Sequence, residues 1–498
     1  MALAALPGTD NLTTFNPATY TDLTSVRLPL APTLAPLATV PVTDRTVSFA
    51  GFNDNRVMPY VQNFNLSIQR ELAKNLTVDV SYSGTKGTKL WSPIQLNEVN
   101  ILETGILQAF NTTRAGSNAD LFNRMLNGFN VPGVGTVNGT TLTGSEALRR
   151  FTTTNVFLAN GDVANLANFI NTTTAIGGGT RGAMLTNAGL PQNYITVNPQ
   201  FGSLVLHGNN DNSTYHSFVT QVRKRLSHGV SGEFAYSLSK SLGTTAIPAG
   251  VGTDTTSTTR DPRNRALQKG LETFDRRHTF NTFGAWDLPF GANHRLLSQA
   301  PSIVQRLVEG WQVSGIFNWS TGGPLGFMSN IRTLSCASGC ANNPASNINT
   351  ADLVGSLPKD YAKATVRDGF VEFFPGLKTQ RASLPNFGGD TNLPGRFTNQ
   401  VVVDGSGNII LQNPRPGTTG NTSQRVFAGP TNLRFDAALG KRIRIGESKS
   451  FTIRADAVNV LNHPVWADPN TDINSNIFGR ITSATGSRTV TINARVDF

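Results

Sequence analysis

An all-β protein is predicted, an antiparallel up-and-down transmembrane β-barrel or part of one, with about nine to ten strands. Three observations carry that expectation. Apolar and polar residues alternate over stretches of about ten, which puts the apolar side chains of each strand on one face. The connections between these stretches alternate between a few residues and many tens. No run of 18 apolar residues occurs in the 498, so a helical span is excluded, whereas a half-polar barrel strand is not.

Residues 1–62 are rich in Pro, Thr and Leu and read as loop with one weak strand near Val47, since Pro29, Pro32, Pro36 and Pro41 disfavour a central strand. A hairpin follows. Phe64, Leu66 and Ile68 alternate with Asn63, Asn65, Ser67 and Gln69, then a turn at 73–75 leads to Leu76, Val78, Val80 and Tyr82. Residues 84–212 read as a long outer loop. Its early part has a helical period (Val99, Leu102, Ile106, Leu107, Phe110, then Leu121, Phe122, Met125, Leu126), and the remainder reads as Gly/Thr/Asn-rich connection. A second hairpin turns at 227–229, with Val230, Phe234, Tyr236 and Leu238 on one face of its return strand.

After an outer loop over 241–277, HTFNTFGAWDLP and WQVSGIFNWS form a third pair. Trp311, Val313, Phe317 and Trp319 share a face, with aromatics at both ends as membrane interfaces favour. The outer loop 321–430 precedes a fourth hairpin. There Leu433, Phe435, Ala437 and Leu439 oppose Arg434, Asp436 and Arg442, and Phe451, Ile453, Ala455 and Ala457 oppose Thr452, Arg454 and Asp456. A last outer loop, 463–488, leads to TVTINARVDF, in which Val490, Ile492, Ala494, Val496 and Phe498 share one face and Arg495 lies on the other.

Composition agrees. Only 15% of residues are charged, against roughly 25% for soluble globular chains. The net charge of +11 is dispersed, with no basic block or helix, so no nucleic-acid partner is expected. Cys336 and Cys340, in CASGC, read as a loop disulfide rather than a metal site. The six histidines lack ligand spacing, no GxSxG occurs, and no enzyme activity, metal or cofactor is expected. Asp261, Glu272 and Asp275 with Arg263, Arg276 and Arg277 read as the salt-bridged base of an outer loop.

The charges Arg434, Asp436, Arg442, Arg454, Asp456 and Arg495 are too bulky for a small packed interior and suit the wet or plugged lumen of a wide barrel. Nine or ten strands cannot close so wide a sheet. An open edge in lipid is costly, so residues 63–498 are expected to be the C-terminal portion of something larger. The absence of a signal-like start at Met1 accords with that expectation.

The blocks NFNLSIQRELAKNLTVDVSYSGTKGTKL, STYHSFVTQVRKRLSHGVSGEFAYSLSKS, FDRRHTFNTFGAWDLPFG, EGWQVSGIFNWSTGGPL and FTIRADAVNVLNHPVW, with terminal Phe498, resemble in order the C-terminal barrel of TonB-dependent outer-membrane receptors. The resemblance is to the Oar-like type that carries an N-terminal carboxypeptidase-regulatory-like domain, and it covers roughly 63–498. It implies a Gram-negative outer membrane, contact with its lipid, and insertion by the barrel-assembly machinery through the C-terminal strand. It further implies uptake or binding of a bulky substrate, with energy from the TonB complex acting on a plug. Neither a plug nor a TonB-contacting box is present in these residues. The rival reading is a secreted or surface-displayed all-β adhesion or glycan-binding protein, and a weaker one is a surface hydrolase. Nothing in the loops spells a substrate.

Overall fold

Nine alternating stretches become nine strands of one continuous antiparallel path. The computed structural model describes residues 40–41, 43–244, 260–261, 263–291, 296–335, 349–445 and 449–498. The chain divides into two units, Met1–Pro41 and Val42–Phe498, and the sheet and its connections lie wholly within the second. Cys336 and Cys340 lie outside the described residues.

A short strand β1 (Val47–Phe52) precedes β2 (Tyr60–Ala73) and β3 (Leu76–Gln95). After the insertion come β4 (Phe201–Ser227), β5 (Val230–Gly243), β6 (His278–Asp287) and β7 (Trp311–Ser320). β8 (Asn432–Arg444), β9 (Ser450–Val458) and β10 (Thr489–Asp497) complete the set. The path runs β2 to β10 in chain order, and β1 adds to it in parallel along β4 at Phe201–His207. The sheet does not close: among the described residues nothing pairs with the outer edge of β2 or of β10.

Register joins the apolar residues into cross-strand rows, interrupted by Thr220 in the first of them. One passes from Ile68 through Val80, Thr220, Tyr236, Phe280 and Trp319 to Leu433. Another passes from Val230 through Trp286, Val313, Leu439 and Ala455 to Ile492. No second sheet covers this face among the described residues; Ile68 is 66% exposed and Ile492 70%. A contiguous apolar surface of this extent marks contact with something other than water. Trp311 and Trp319 bracket it on β7, about 26 Å apart along the strand at ~3.3 Å per residue and about 20 Å apart across the membrane once the strand tilts by about 40°. The apolar band of outer-membrane barrels is about 25 Å tall.

Two boundaries differ from the sequence reading. Residues 84–95 and 201–212 belong to strands, so the first outer insertion is 96–200 and not 84–212. Gly87, Pro93, Gly208 and the Asn/Asp run 209–212 broke the alternation there, and the pairing of β3 with β4 does shift register at Gly87/Leu90 and Leu90/Ser92. At 20 and 27 residues these strands far exceed the 9–11 needed to cross a bilayer, so they rise beyond it.

The insertion is also more ordered than its composition suggested. The helical period gives α1 (Ile106–Arg114) and α2 (Asp120–Leu126), with Ile106, Phe110, Phe122, Met125 and Leu126 buried, although Leu102 is exposed and precedes the helix. Four further helices occupy the part read as plain connection: α3 (Gly144–Arg150), α4 (Thr154–Asn160), α5 (Val163–Thr172) and α6 (Ala183–Asn187). Thr143 and Glu146 have the spacing of a helix-initiating box, and the Thr143 hydroxyl accepts the Glu146 N–H at 3.1 Å.

Candidate functional surfaces: a charged wall and a folded cap

The face opposite the apolar rows is polar along most of its length. Ser231, Ala285, Ser314, Ala438, Asp456 and Thr491 form one cross-strand row. The expected charges Arg434, Asp436, Arg442, Arg454, Asp456 and Arg495 all fall on this face. Phe283 and Ile316 are apolar exceptions: register puts them in the row of Glu233 and Asp436.

Three successive strands carry the same Arg-x-Asp triplet, and each arginine bonds its own aspartate. The distances are 3.0 Å for Arg434–Asp436, 2.7 Å for Arg454–Asp456 and 2.6 Å for Arg495–Asp497. Asp456 and Arg454 pair with Ala438 and Gly440, and Arg495 and Asp497 with Thr452 and Ser450, so each triplet is displaced by four residues, two pleats, from the last. The result is a diagonal of ion pairs down the wall, in which successive triplets meet Asp436 to Asp456 and Arg454 to Arg495. Asn493 Nδ2 donates to Asp456 at 3.2 Å and the Asn459 N–H to Asp436 at 2.7 Å, which fixes the carboxylates. Each partly exposed pair adds little to stability, so the ladder is better understood as a surface for polar contacts than as a brace. Arg442 donates to Ser450 Oγ at 3.3 Å.

The long connections, all at one end of the sheet, fold into a cap with two apolar cores. The first joins α1–α6 to Leu334, Phe387, Leu393 and Phe397 of the 321–430 connection. The second packs Phe327, Phe373, Phe374 and Phe427 against Ile473 and Ile481 of the last long connection. Phe327 and Phe427 lie 4.9 Å apart, ring to ring.

Buried polar joints tie these pieces together, and local sequence signalled none of them. Arg149 meets Asp390 at 2.9 Å with both side chains 8% exposed, and it also donates to the carbonyls of Ser117 and Thr113. Arg45, wholly buried, donates to the side chains of Asn171 and Gln192, holding the lead-in to β1 against the insertion. Burial lowers its pKa to about 10. Gly182 makes room for it: its φ is +73, and a Cβ there would collide with the Arg45 guanidinium.

Asp162, just before α5, accepts from Asn165 Nδ2 at 2.6 Å and from the Arg332 N–H at 3.2 Å. Burial outweighs these bonds and the Arg332 charge, raising its pKa to about 6. A carboxyl raised on folding stabilises the joint below its unfolded pKa near 4 and loses that contribution as pH rises through about 6. Beyond the base-catalysed rise common to all amides, hydrogen exchange of α5 should therefore quicken between pH 4 and 6, and Asp162→Asn should remove that extra rise. An unchanged slope in the variant would contradict the assignment.

Of the mixed-charge loop, Asp275 accepts the Ser241 N–H at 2.6 Å, Arg263 reaches Glu103 at 3.6 Å, and Arg276 donates to the Asp275 carbonyl. Among the described residues no ion pair joins two of these six; the expected salt-bridged base is held by bonds to backbone groups and by the Arg263–Glu103 pair instead. Two histidines sit on the apolar face: His216 Nδ1 bonds the Tyr82 hydroxyl at 2.8 Å, and His278 Nδ1 bonds that of Tyr236 at 2.7 Å. Each pair hides a polar edge where the sheet enters the cap.

A one-layer sheet, apolar across one face and charged across the other, with cap and short turns at opposite ends, is the wall of a membrane β-barrel. The chain belongs to the outer membrane beta barrel domain family, whose model matches residues 2–491, and its place is the outer membrane. No curated protein matches it. Among solved structures it is similar to the outer membrane transporter YddB from Escherichia coli at 9% identity and a TM-score of 0.34, covering 91% of this chain and 34% of that one. It is also similar to the siderophore receptor PiuA from Acinetobacter baumannii (8% identity, TM-score 0.14, 88% of this chain and 55% of that). A Pseudomonas aeruginosa FadL homologue aligns at 10% identity and a TM-score of 0.14, over 89% of this chain and 68% of that. The chain thus spans about a third of the length of the first of these.

Proposed function

We propose that this chain is barrel wall and outer cap of a TonB-dependent receptor of the Oar-like type, which binds a bulky substrate at the cap and passes it inward. The observation that carries this reading is the Arg-x-Asp diagonal on the face away from lipid. Paired, partly exposed charges on a broad wall match the polar surface of a plug or a water-filled lumen. Two edges that no described residue pairs with call for further strands to complete the ring, because each bare group in hydrocarbon costs several kcal/mol. The plug and the TonB contact would then reside outside these residues, and the wall itself performs no chemistry. The cap, held by buried cores and ion pairs, favours a rigid recognition surface.

Comparison of cells with and without the protein, each with and without an uncoupler of the inner-membrane proton gradient, tests the proposal. One set of bulky compounds should fail to reach the periplasm after deletion and also after uncoupling. Loss on deletion alone would remove the TonB coupling. No loss at all would favour the surface-displayed adhesion or glycan-binding reading.

The last strand serves in this proposal as the signal read by the assembly machinery. Phe498 is 88% exposed and Val496 48%, on the same face as Val490, Ile492 and Ala494. Phe498→Ala or Val496→Asp should lower the folded, surface-exposed fraction several-fold, and normal surface levels of both would count against that role.

A further inference from the structure

The connection between β6 and β7 carries a helix, α7 (Ser302–Val308), at the end of the sheet opposite the cap. On its helical wheel Ile303, Val304, Leu307 and Val308 fill one arc of about 140°, while Ser302, Gln305 and Arg306 fill the other. None of its residues is buried; Ile303 is 75% exposed and Leu307 64%. Leu296 and Leu297, earlier in the same connection, are each about half exposed.

What holds this helix is a lysine on the apolar face of the sheet. Lys441 stands two residues beyond Leu439 and pairs directly with Trp311, so its side chain points toward lipid, where an ammonium is unwelcome. It is nevertheless 6% exposed, because α7 covers it. Lys441 Nζ donates to the carbonyls of Arg306, Leu307 and Glu309 at 2.8–3.0 Å and lies 5.1 Å from the Trp311 ring centroid. Trp311 Nε1 donates to the Leu307 carbonyl at 2.9 Å. The last carbonyls of a helix lack partners of their own and attract a cation. Gly310 closes the joint at φ +70, where a Cβ would collide with the Arg442 carbonyl. The C-terminal end of the helix is therefore tied to the apolar face of the sheet beside Trp311.

We infer that α7 is an interfacial anchor, seated in the boundary between headgroups and acyl chains of the periplasmic leaflet. Its occupant is lipid because its apolar arc continues the lipid-facing belt of the sheet at the level where that belt ends. The polar arc, with Arg306, then meets the headgroups. This inference rests on the apolar face of the sheet being the lipid face, and the experiment separates the two.

Single cysteines at Ile303, Leu307 and Arg306, in a Cys336→Ser/Cys340→Ser background, are spin-labelled in the full protein in phospholipid nanodiscs. A label at Ile492 on β10 reports on the sheet. Labels at 303 and 307 should relax strongly with oxygen and weakly with a water-soluble nickel chelate, and a label at 306 the reverse. Adding Lys441→Met should move the 303 and 307 labels toward the chelate. If 303 and 307 respond to the chelate as 306 does, or are shielded from both reagents by protein, the anchor is overturned while Ile492 still reports lipid. If Ile492 itself reports water, the membrane reading of the sheet has failed instead.

Discussion

Leu439→Arg should cost about 1–3 kcal/mol of folding stability in bilayers, because Leu439 lies one pleat inward of the Trp311 level, between the interface and the middle of the apolar band, where a lipid-facing cation is costliest. Leu439 lies near the middle of β8, between Val313 and Ala455 in an apolar row, and is 43% exposed with no covering layer. Its neighbour Gly440 points the other way, and a Cβ there meets nothing nearer than the Gln312 carbonyl at 4.0 Å. Gly440→Arg should therefore cost less than about 1 kcal/mol, mostly through repulsion from Arg454 directly opposite. Denaturant unfolding in phospholipid vesicles reads both. Similar losses for the two variants would mean that the faces do not differ in environment.

The second large effect is expected in the cap. Arg149→Ala leaves Asp390 buried without its partner, and breaking such a pair costs about 3–5 kcal/mol. The pair joins α3 to the 321–430 connection, so the loss should appear as rapid hydrogen exchange and protease cleavage in 97–200 and 380–400, with β5–β9 unchanged. Arg149→Ala/Asp390→Ala should be milder than the sum of the single variants, because no orphaned charge is left. Strict additivity would show that the pair is not coupled.

The sheet could be read from the chain because each of its strands repeats a two-residue period over about ten residues, and period two fixes which side chains share a face. The Arg434, Arg454 and Arg495 triplets were legible for that reason. Their alignment into a diagonal was not, since the stagger between strands is set by pairing and leaves no mark within one strand. The upper parts of β3 and β4 escaped because above the membrane both faces are wet and alternation has no cause. Helices α3–α6 were hidden by a composition rich in Gly, Thr and Asn, although Thr143–Glu146 offered a local start signal. Arg149–Asp390 and Arg45–Asn171 join residues more than a hundred apart, and no spacing rule reaches them. Lys441 is instructive for the opposite reason: it breaks the alternation of β8, and the break marks the helix that covers it.

Photo-cross-linking in living cells tests the two-faced wall most directly. Benzoylphenylalanine placed at Leu439, Ile453 and Ile492 should give adducts with lipid, while the same group at Asp436, Arg454 and Asp456 should give adducts with polypeptide or none. Lipid adducts at the second set, or polypeptide adducts throughout the first, would contradict the account.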